Sequence, residues 1–329
     1  MVKGLVSIIT PCYNSAGYIH RLLDSVLMQD YPKIEMFAID DGSTDNTKEV
    51  LESYIPKFAY KGYALTYIFQ ENAGQAAAVN RGLKLVTGEF LTWPDSDDFY
   101  RCSNSISKLV SGFRQSNDNY GLVRCKCVFI EENSLRELGE GFKYINSEHL
   151  FLPFLTGDEF GGGAGVYMVR MSAFDNAVPD RDIYVGRRAQ NCQLLEPLYY
   201  FYRCKTINEP LINILVRKDS HSHTARSYEG QLDDIQGYID IHTNTLSRMS
   251  CLSKSELEKY IHIVNLRFLN DKLTLALNFD RYEDARRFAR ELKKQGGVLS
   301  QGKRMKLILS YFPPALRMAK WLQKRHQMH

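Results

Sequence analysis

The chain has 329 residues, 44% of them hydrophobic and 24% charged, the proportions of an ordinary soluble globular protein with one large or two modest domains. A formal net charge of +4 is too small to imply a nucleic-acid partner by itself. Seven cysteines (12, 102, 125, 127, 192, 204 and 251) are scattered and contain no C-x-x-C pair, which fits thiols in a reducing cytoplasm better than a disulfide framework or a zinc site.

The opening MVKGLVSIIT has too short an apolar run for a signal peptide and leads directly into a strand over Val6 to Ile9, ending at Thr10-Pro11. Tyr18 to Gln29 carries Ile19, Leu22, Leu23, Val26 and Leu27 at helical spacing. Ile34 to Ile39 is a second strand, cut off by Asp40-Asp41-Gly42. Thr44 and Asp45 then supply capping chemistry for a helix through Val50, Leu51 and Tyr54. Leu65 to Phe69 is a third strand. Gln75 to Val86 is a helix with Gly88 placed to end it, and Glu89 to Trp93 is a fourth strand. Strand and helix alternating at this interval predict right-handed crossovers and a mostly parallel sheet with helices on both faces.

In such a sheet, ligands bind outside the carboxyl ends of the strands. The polar clusters fall there: Thr10 to Asn14, Asp40 to Ser43, Asn72 to Gly74, and Asp95-Ser96-Asp97-Asp98. One ligand-binding rim is the economical inference. It has no G-x-G-x-x-G after the first strand and no G-x-x-x-x-G-K-[ST], so the backbone cradles for phosphate are missing. Asp95, Asp97 and Asp98 put three carboxylates into four residues, and these repel one another unless a cation sits among them. Two readings stand: a solvated acidic turn, or a clamp for Mg²⁺ or Mn²⁺, which prefer oxygen ligands and share their shell with substrate phosphates. A strand-end aspartate can accept the imide N–H of a uracil, and Tyr13 offers a face for stacking a base, the alternative for Tyr13 being a plain surface tyrosine.

The segments VSIITPCYNSAGYIHRLLDSVLMQDYPKIEMFAIDDGSTDNT, ENAGQAAAVNRGL and FLTWPDSDDF together resemble the nucleotide-binding half of the inverting family 2 glycosyltransferases of the GT-A fold, continuously over residues 5 to 100. The resemblance implies that Pro11, Tyr13 and Asp41, with Thr10 and Asp40 beside them, hold the nucleoside. It implies that Asp95 and Asp97, with Ser96 and Asp98 adjoining, form a D-x-D motif for metal and diphosphate. Asn72, Gly74 and Asn80 match the motif that opens a helix, although Val79 stands where many relatives carry Arg.

Gly161 to Gly165 before Val166 to Val169 reads as a glycine loop feeding a strand; by analogy with the family it lies near the acceptor, and a tight turn needing positive φ is the other reading. Gly186 to Pro197 resembles the family segment in which a Glu-Asp pair precedes a helix and one carboxylate deprotonates the acceptor hydroxyl. Gln190 and Asn191 stand there instead, and an amide is no general base. Three explanations compete: another carboxylate reaches in, with Glu196, Asp182 and Asp158 as candidates; the amides orient an acceptor that is acidic enough; or the protein binds a nucleotide sugar without turnover. Arg187 and Arg188 meet phosphate or acceptor anions, or form a solvated basic turn. His221 and His223, after the strand-like Leu211 to Val216, match a late histidine that often joins the metal or diphosphate in GT-A enzymes.

Beyond about residue 225 the periodicity is helical. Ser253 to Glu256 is a capping box opening a helix with Leu257, Ile261, Val264 and Phe268 on one face. A second helix starts near Asp280, with Phe288 and Leu292 inward and Gly296 as its stop. Residues 303–325 mix Lys and Arg with Leu, Ile, Tyr, Phe and Trp around Pro313-Pro314, which suits either an anionic membrane surface or a helix with solvated lysines. No apolar run approaches the roughly 20 residues needed to cross a bilayer. The expectation is a GT-A α/β domain over 1–224, with a nucleotide-binding half over 1–100 and an acceptor half over 101–224, and a helical region over 225–329. Its expected activity is Mn²⁺- or Mg²⁺-dependent transfer of a sugar from a nucleoside diphosphate, UDP foremost, to a saccharide or lipid-linked acceptor hydroxyl with inversion. The expected setting is cytoplasmic or peripheral at the inner membrane face, in cell-surface polysaccharide or glycolipid assembly. The rival is a non-catalytic nucleotide-sugar-binding protein, and a nucleotidyltransferase is a third reading.

Overall fold

The computed structural model describes residues 1–114, 119–141, 144–159, 163–186, 190–217 and 227–311. The alternation read from the sequence appears as β1 (Val2–Cys12), α1 (Ile19–Leu27), β2 (Ile34–Asp41), α2 (Thr47–Lys61), β3 (Ala64–Gln70), α3 (Gln75–Leu83) and β4 (Gly88–Thr92). Asp45 holds the start of α2 by accepting from the Thr47 N–H at 3.0 Å. One boundary moves. α3 ends at Leu83, and Gly88 opens β4 rather than closing the helix. The reason is a close backbone approach: a Cβ at Gly88 would come within 2.6 Å of the Leu5 carbonyl oxygen.

Then follow β5 (Phe99–Tyr100), α4 (Ser105–Arg114), β6 (Tyr120–Glu131), β7 (Glu137–Glu140), α5 (Phe151–Thr156), a 3₁₀ turn (Ala164–Val166), β8 (Tyr167–Arg170), α6 (Met171–Ala177), α7 (Gln190–Phe201) and β9 (Arg203–Val216). One sheet holds all the described strands in the order β3-β2-β1-β4-β8-β6-β9-β5, with β7 beside β6. It is parallel across β1 to β4, as expected. Beyond β4 it is mixed: β8 is antiparallel to both β4 and β6, β9 is parallel to β6, and β5 is antiparallel to β9.

α3 lies against β1 through Gly82, where a Cβ would come 2.6 Å from Ile9 Cγ2. Gly82→Val is therefore expected to push the helix off the sheet and to lower the unfolding free energy by about 1–3 kcal/mol. Urea denaturation reads this directly, and an unchanged midpoint would mean the contact yields without cost. Deeper in, Cys125 and Cys127 are fully buried on β6, and no disulfide occurs among the described residues, which include all seven cysteines.

Residues 1–224 with 244–252 form one compact unit, and 225–243 with 253–329 form another. The described helices of the C-terminal region are α8 (Tyr228–Arg248), α9 (Lys254–Asn278), α10 (Tyr282–Lys294) and α11 (Gln301–Leu309). Ser253 and Glu256 close the expected capping box at the start of α9. Val264 and Phe268 are buried on that helix, Leu292 is buried on α10, and Gly296 follows with φ of 84° as the stop. In the basic stretch, Leu307 turns inward while Met305, Ile308 and Tyr311 are exposed. Pro313, Pro314 and Trp321 lie outside the described residues. No helix among the described residues is long and apolar enough to cross a membrane.

Candidate functional site

The carboxyl ends of β1, β2 and β4 deliver the rim loops to one edge of the sheet, and hydrogen bonds knit those loops together. Asn14 adopts φ of 49°, a left-handed conformation that Asn tolerates, and its Oδ1 accepts from the Thr44 N–H at 2.8 Å. Its own N–H donates to Ser43 Oγ at 2.9 Å, so the loops after β1 and β2 are joined. Ser15 Oγ meets Ser96 Oγ at 2.9 Å and joins both to the acidic loop.

Asp40 and Asp41 lie at the end of β2 and are buried. Asp41 accepts from the N–H groups of Ala73 (2.9 Å) and Gly74 (2.8 Å) and from Gln70 Nε2 (2.7 Å), so it shapes the Asn72–Gly74 turn. Asp40 accepts from the Ser43 N–H and from the Tyr67 hydroxyl, both at 2.9 Å. A carboxylate has about four lone-pair sites, which leaves each room for a further donor. Tyr13 is 51% exposed and presents its ring at this edge, whereas Thr10 is fully buried. Gly74 takes φ of 91° just ahead of α3. Asn80 is turned inward: its amide bonds both the Ile183 carbonyl and the Ile183 N–H at 2.8 Å, bracing the segment before α7.

The acidic loop does not present three equivalent carboxylates. Asp98 is buried, and its Oδ1 accepts from the Leu215 N–H of β9 at 3.2 Å. Asp95 is partly exposed and accepts from Gln75 Nε2, at the start of α3, at 2.7 Å. Asp97 is partly exposed and pairs with Arg217 Nε at 2.9 Å; that guanidinium also lies over the Tyr18 ring, 4.4 Å from its centroid. Burial, then the charge of Asp97, pushes Asp95 up to about 7 against the pull of Gln75 and Arg217. Burial also raises Asp97, and it raises Asp98 well above the carboxylate range, where the two neighbouring aspartates add to it. Mg²⁺ and Mn²⁺ need only one or two protein carboxylates when phosphates complete the shell, so Asp95 and Asp97 fit such an ion. Among the described residues no three Asp, Glu, His or Cys side chains converge to hold an ion by themselves. His221 and His223, with Arg187, Arg188, Gly161 and Gly162, lie outside the described residues.

Behind the loop stands Trp93, which is 1% exposed and stacked on Tyr167 with 6.4 Å between ring centroids. Its Nε1 donates to Asn191 Oδ1 at 2.8 Å, tying the start of α7 to the strand that carries Asp95. The 3₁₀ turn packs on the same corner, since a Cβ at Gly165 would meet Pro94 at 3.1 Å. Gln190 is buried. The three candidate bases sit elsewhere. Glu196 is fully enclosed on the inner side of α7. Asp182 pairs with Arg248 at 3.0 Å and with Lys84 at 3.9 Å. Asp158 is exposed just after α5 and accepts from Thr156 Oγ1 at 2.6 Å. Trp93, Gln75 and Arg217 were not among the site residues expected from the sequence, although Trp93 ends the fourth strand, Gln75 opens the helix after Gly74, and Arg217 directly follows the strand-like Leu211 to Val216.

The glycosyl transferase family 2 model matches residues 7–176, a little over half of the chain. An uncharacterized glycosyltransferase of Rickettsia typhi is 35% identical over 130 residues, covering 40% of this chain and 38% of that protein. Glycosyltransferase GlyA of Streptococcus pneumoniae is 38% identical over 99 residues, 30% of this chain and 14% of that protein. The chain thus spans well under half the length of these relatives. Among solved structures, TarS 1-349 of S. aureus in complex with UDP-GlcNAc superposes with a TM-score of 0.63 at 18% identity, covering 96% of this chain and 92% of that one. The mannosyltransferase PcManGT of Pyrobaculum calidifontis, in complex with GDP-Man and Mn²⁺, gives 0.55 at 19% identity, covering 98% and 89%. At such identities the likeness is one of fold, and it agrees with the matched motifs: this chain belongs to glycosyl transferase family 2.

Proposed function

We propose that the protein transfers a sugar from a nucleoside diphosphate, with UDP the favoured nucleotide, to an acceptor oxygen with inversion. The observation that carries this is the joining of the Asn14, Asp41 and Asp95–Asp97 loops along one edge, which makes a nucleoside platform continuous with a carboxylate pair. Tyr13 would stack the base, and Asp41 or Asp40 would accept its imide N–H. Asp95 and Asp97 would hold a Mg²⁺ or Mn²⁺ ion, which when bound neutralises charge on the departing diphosphate. Arg217, the neighbour of Asp97, is placed to take part of the same charge. TarS is complexed with UDP-GlcNAc and PcManGT with GDP-Man and Mn²⁺, and both fit a nucleotide-sugar donor here. A role in cell-surface glycan or glycolipid assembly, with residues 303–325 near an anionic membrane, follows the same reading.

A non-catalytic nucleotide-sugar-binding protein is the second reading, favoured by the amides of Gln190 and Asn191. Isothermal titration of UDP with and without Mn²⁺, followed by a donor-hydrolysis screen over UDP-, GDP- and dTDP-sugars, separates the two. The expected result is UDP uptake strengthened at least about tenfold by Mn²⁺, with slow release of UDP from one donor. Uptake with no turnover of any donor would favour the second reading; uptake that Mn²⁺ does not strengthen would count against the metal-dependent transferase, and no uptake at all would sink both.

A further inference from the structure

Family resemblance puts a proton-accepting carboxylate at one of the two positions where this chain has Gln190 and Asn191, and the structure fixes how the second amide is turned. An indole N–H can only donate, so the oxygen of Asn191 must face Trp93. The indole is itself immobile, being 1% exposed and stacked on Tyr167. Nδ2 is therefore directed away from Trp93, and among the described residues it donates to none. Asn191 is partly exposed, beside the strand end that leads into Asp95. A site built to take a proton has here been given a fixed donor.

None of the three acids named above as candidate bases repairs this. Glu196 has no exposed surface, Asp182 is held by two cations, and Asp158 bonds Thr156 beyond α5. A neutral hydroxyl, whose pKa lies far above neutrality, needs a base to become a nucleophile. A phosphate monoester does not, because its second ionisation lies near 6. It remains more basic than a carboxylate, whose pKa is about 4, and so attacks better while largely in its dianionic form at neutral pH. An N–H donor is the group that steers an oxyanion, where a second carboxylate would repel one.

Resting on the transferase reading above, we infer that the acceptor nucleophile is a phosphate-monoester oxygen, oriented by the Asn191 amide, with Trp93 as the positioning residue that turns that amide. The step balances without a proton carrier. A lone pair on the phosphate oxygen forms the bond to the anomeric carbon, and the bond from that carbon to the donor's diphosphate breaks. Its electron pair leaves with the nucleoside diphosphate, and the product is a glycosyl phosphodiester.

The test uses the full chain saturated with UDP and Mn²⁺, titrated calorimetrically with dodecyl phosphate and with dodecan-1-ol, each carried in nonionic polyoxyethylene detergent micelles, and with soluble phenyl phosphate. Binding of dodecyl phosphate alone identifies a lipid phosphate, and binding of both phosphates identifies a soluble one as sufficient. Either supports the inference if dodecan-1-ol does not bind. Asn191→Ala is expected to weaken phosphate binding several-fold and Asn191→Asp at least about tenfold, with UDP affinity kept by both, which also shows that they fold. Trp93→Phe should weaken phosphate binding in the wild-type background and add nothing in Asn191→Ala, a coupling that loose packing would not produce. If UDP does not bind, the transferase reading falls and the inference with it. If UDP binds but neither phosphate does, or Asn191→Asp leaves phosphate binding unchanged, only the inference falls. Glu132, partly exposed just after β6, lies close enough for its charge to reach Asp97 and Arg217, so it is the acid the test must exclude. Transfer to dodecan-1-ol that Asn191→Asp accelerates or Glu132→Gln removes would likewise overturn the inference, because either shows a hydroxyl acceptor with a protein base.

Discussion

Asp97→Ala is expected to lower sugar transfer by about 10³-fold, close to 4 kcal/mol of transition-state stabilisation, and to abolish the gain in UDP affinity that Mn²⁺ provides. The size follows from the division of labour in the acidic loop. Asp98 is turned to the Leu215 N–H and Asp95 is shared with Gln75, so Asp97 is the carboxylate whose protein partner, Arg217, could be released to a diphosphate. Folding should suffer little, because Asp97 is partly exposed and its removal relieves repulsion among three close acids. Donor-hydrolysis rates, UDP titrations with and without Mn²⁺ and a thermal melt read the three effects separately. Unchanged turnover in Asp97→Ala would contradict the assigned role. Asp98→Asn should act in the opposite sense, altering stability more than metal-assisted binding.

Glu159→Ala is expected to destabilise the catalytic unit by about 3–5 kcal/mol, the largest single loss of stability anticipated in this chain. Arg124 and Glu159 are 0% and 1% exposed in their side chains, 3.1 Å apart. The guanidinium lies 3.9 Å from the Tyr144 ring centroid and donates through Nε to Thr206 Oγ1 at 2.9 Å. Glu159 Oε2 accepts the Ile145 N–H at 3.1 Å, so the pair joins β6 and β9 to the segment before α5. Removing the acid leaves a guanidinium buried without its counter-charge. Replacing both, as Arg124→Met with Glu159→Leu, should recover much of the loss, because the desolvation of both charges disappears with them. Urea denaturation of the two single variants and the double variant gives the coupling; strictly additive losses would show that the charges do not interact.

The nucleotide half was legible because its information is local. Val6 to Ile9, Ile34 to Ile39 and Leu65 to Phe69 are apolar runs ended by polar turns, and each strand contains its predicted segment and extends beyond it. The acceptor half was not. Nothing in the sequence of β8 says that it runs antiparallel between β4 and β6, because pairing direction depends on how distant segments meet rather than on local pattern. Gly88 was misread as a helix stop for the same reason, its need for a bare Cα arising from Leu5, some eighty positions away in the chain.

The sequence by itself determined that a carboxylate-rich rim closes a parallel α/β half, and that amides replace acids at Gln190 and Asn191. Residue type carries that much, since whether a side chain can hold a cation or take a proton is a property of its functional group. The tertiary structure decided which way those groups face: Asp98 toward β9, Asn80 toward Ile183, Glu196 into the interior, and the Asn191 oxygen toward Trp93. Orientation is set by partners tens of residues distant, and only folding brings them within hydrogen-bonding range.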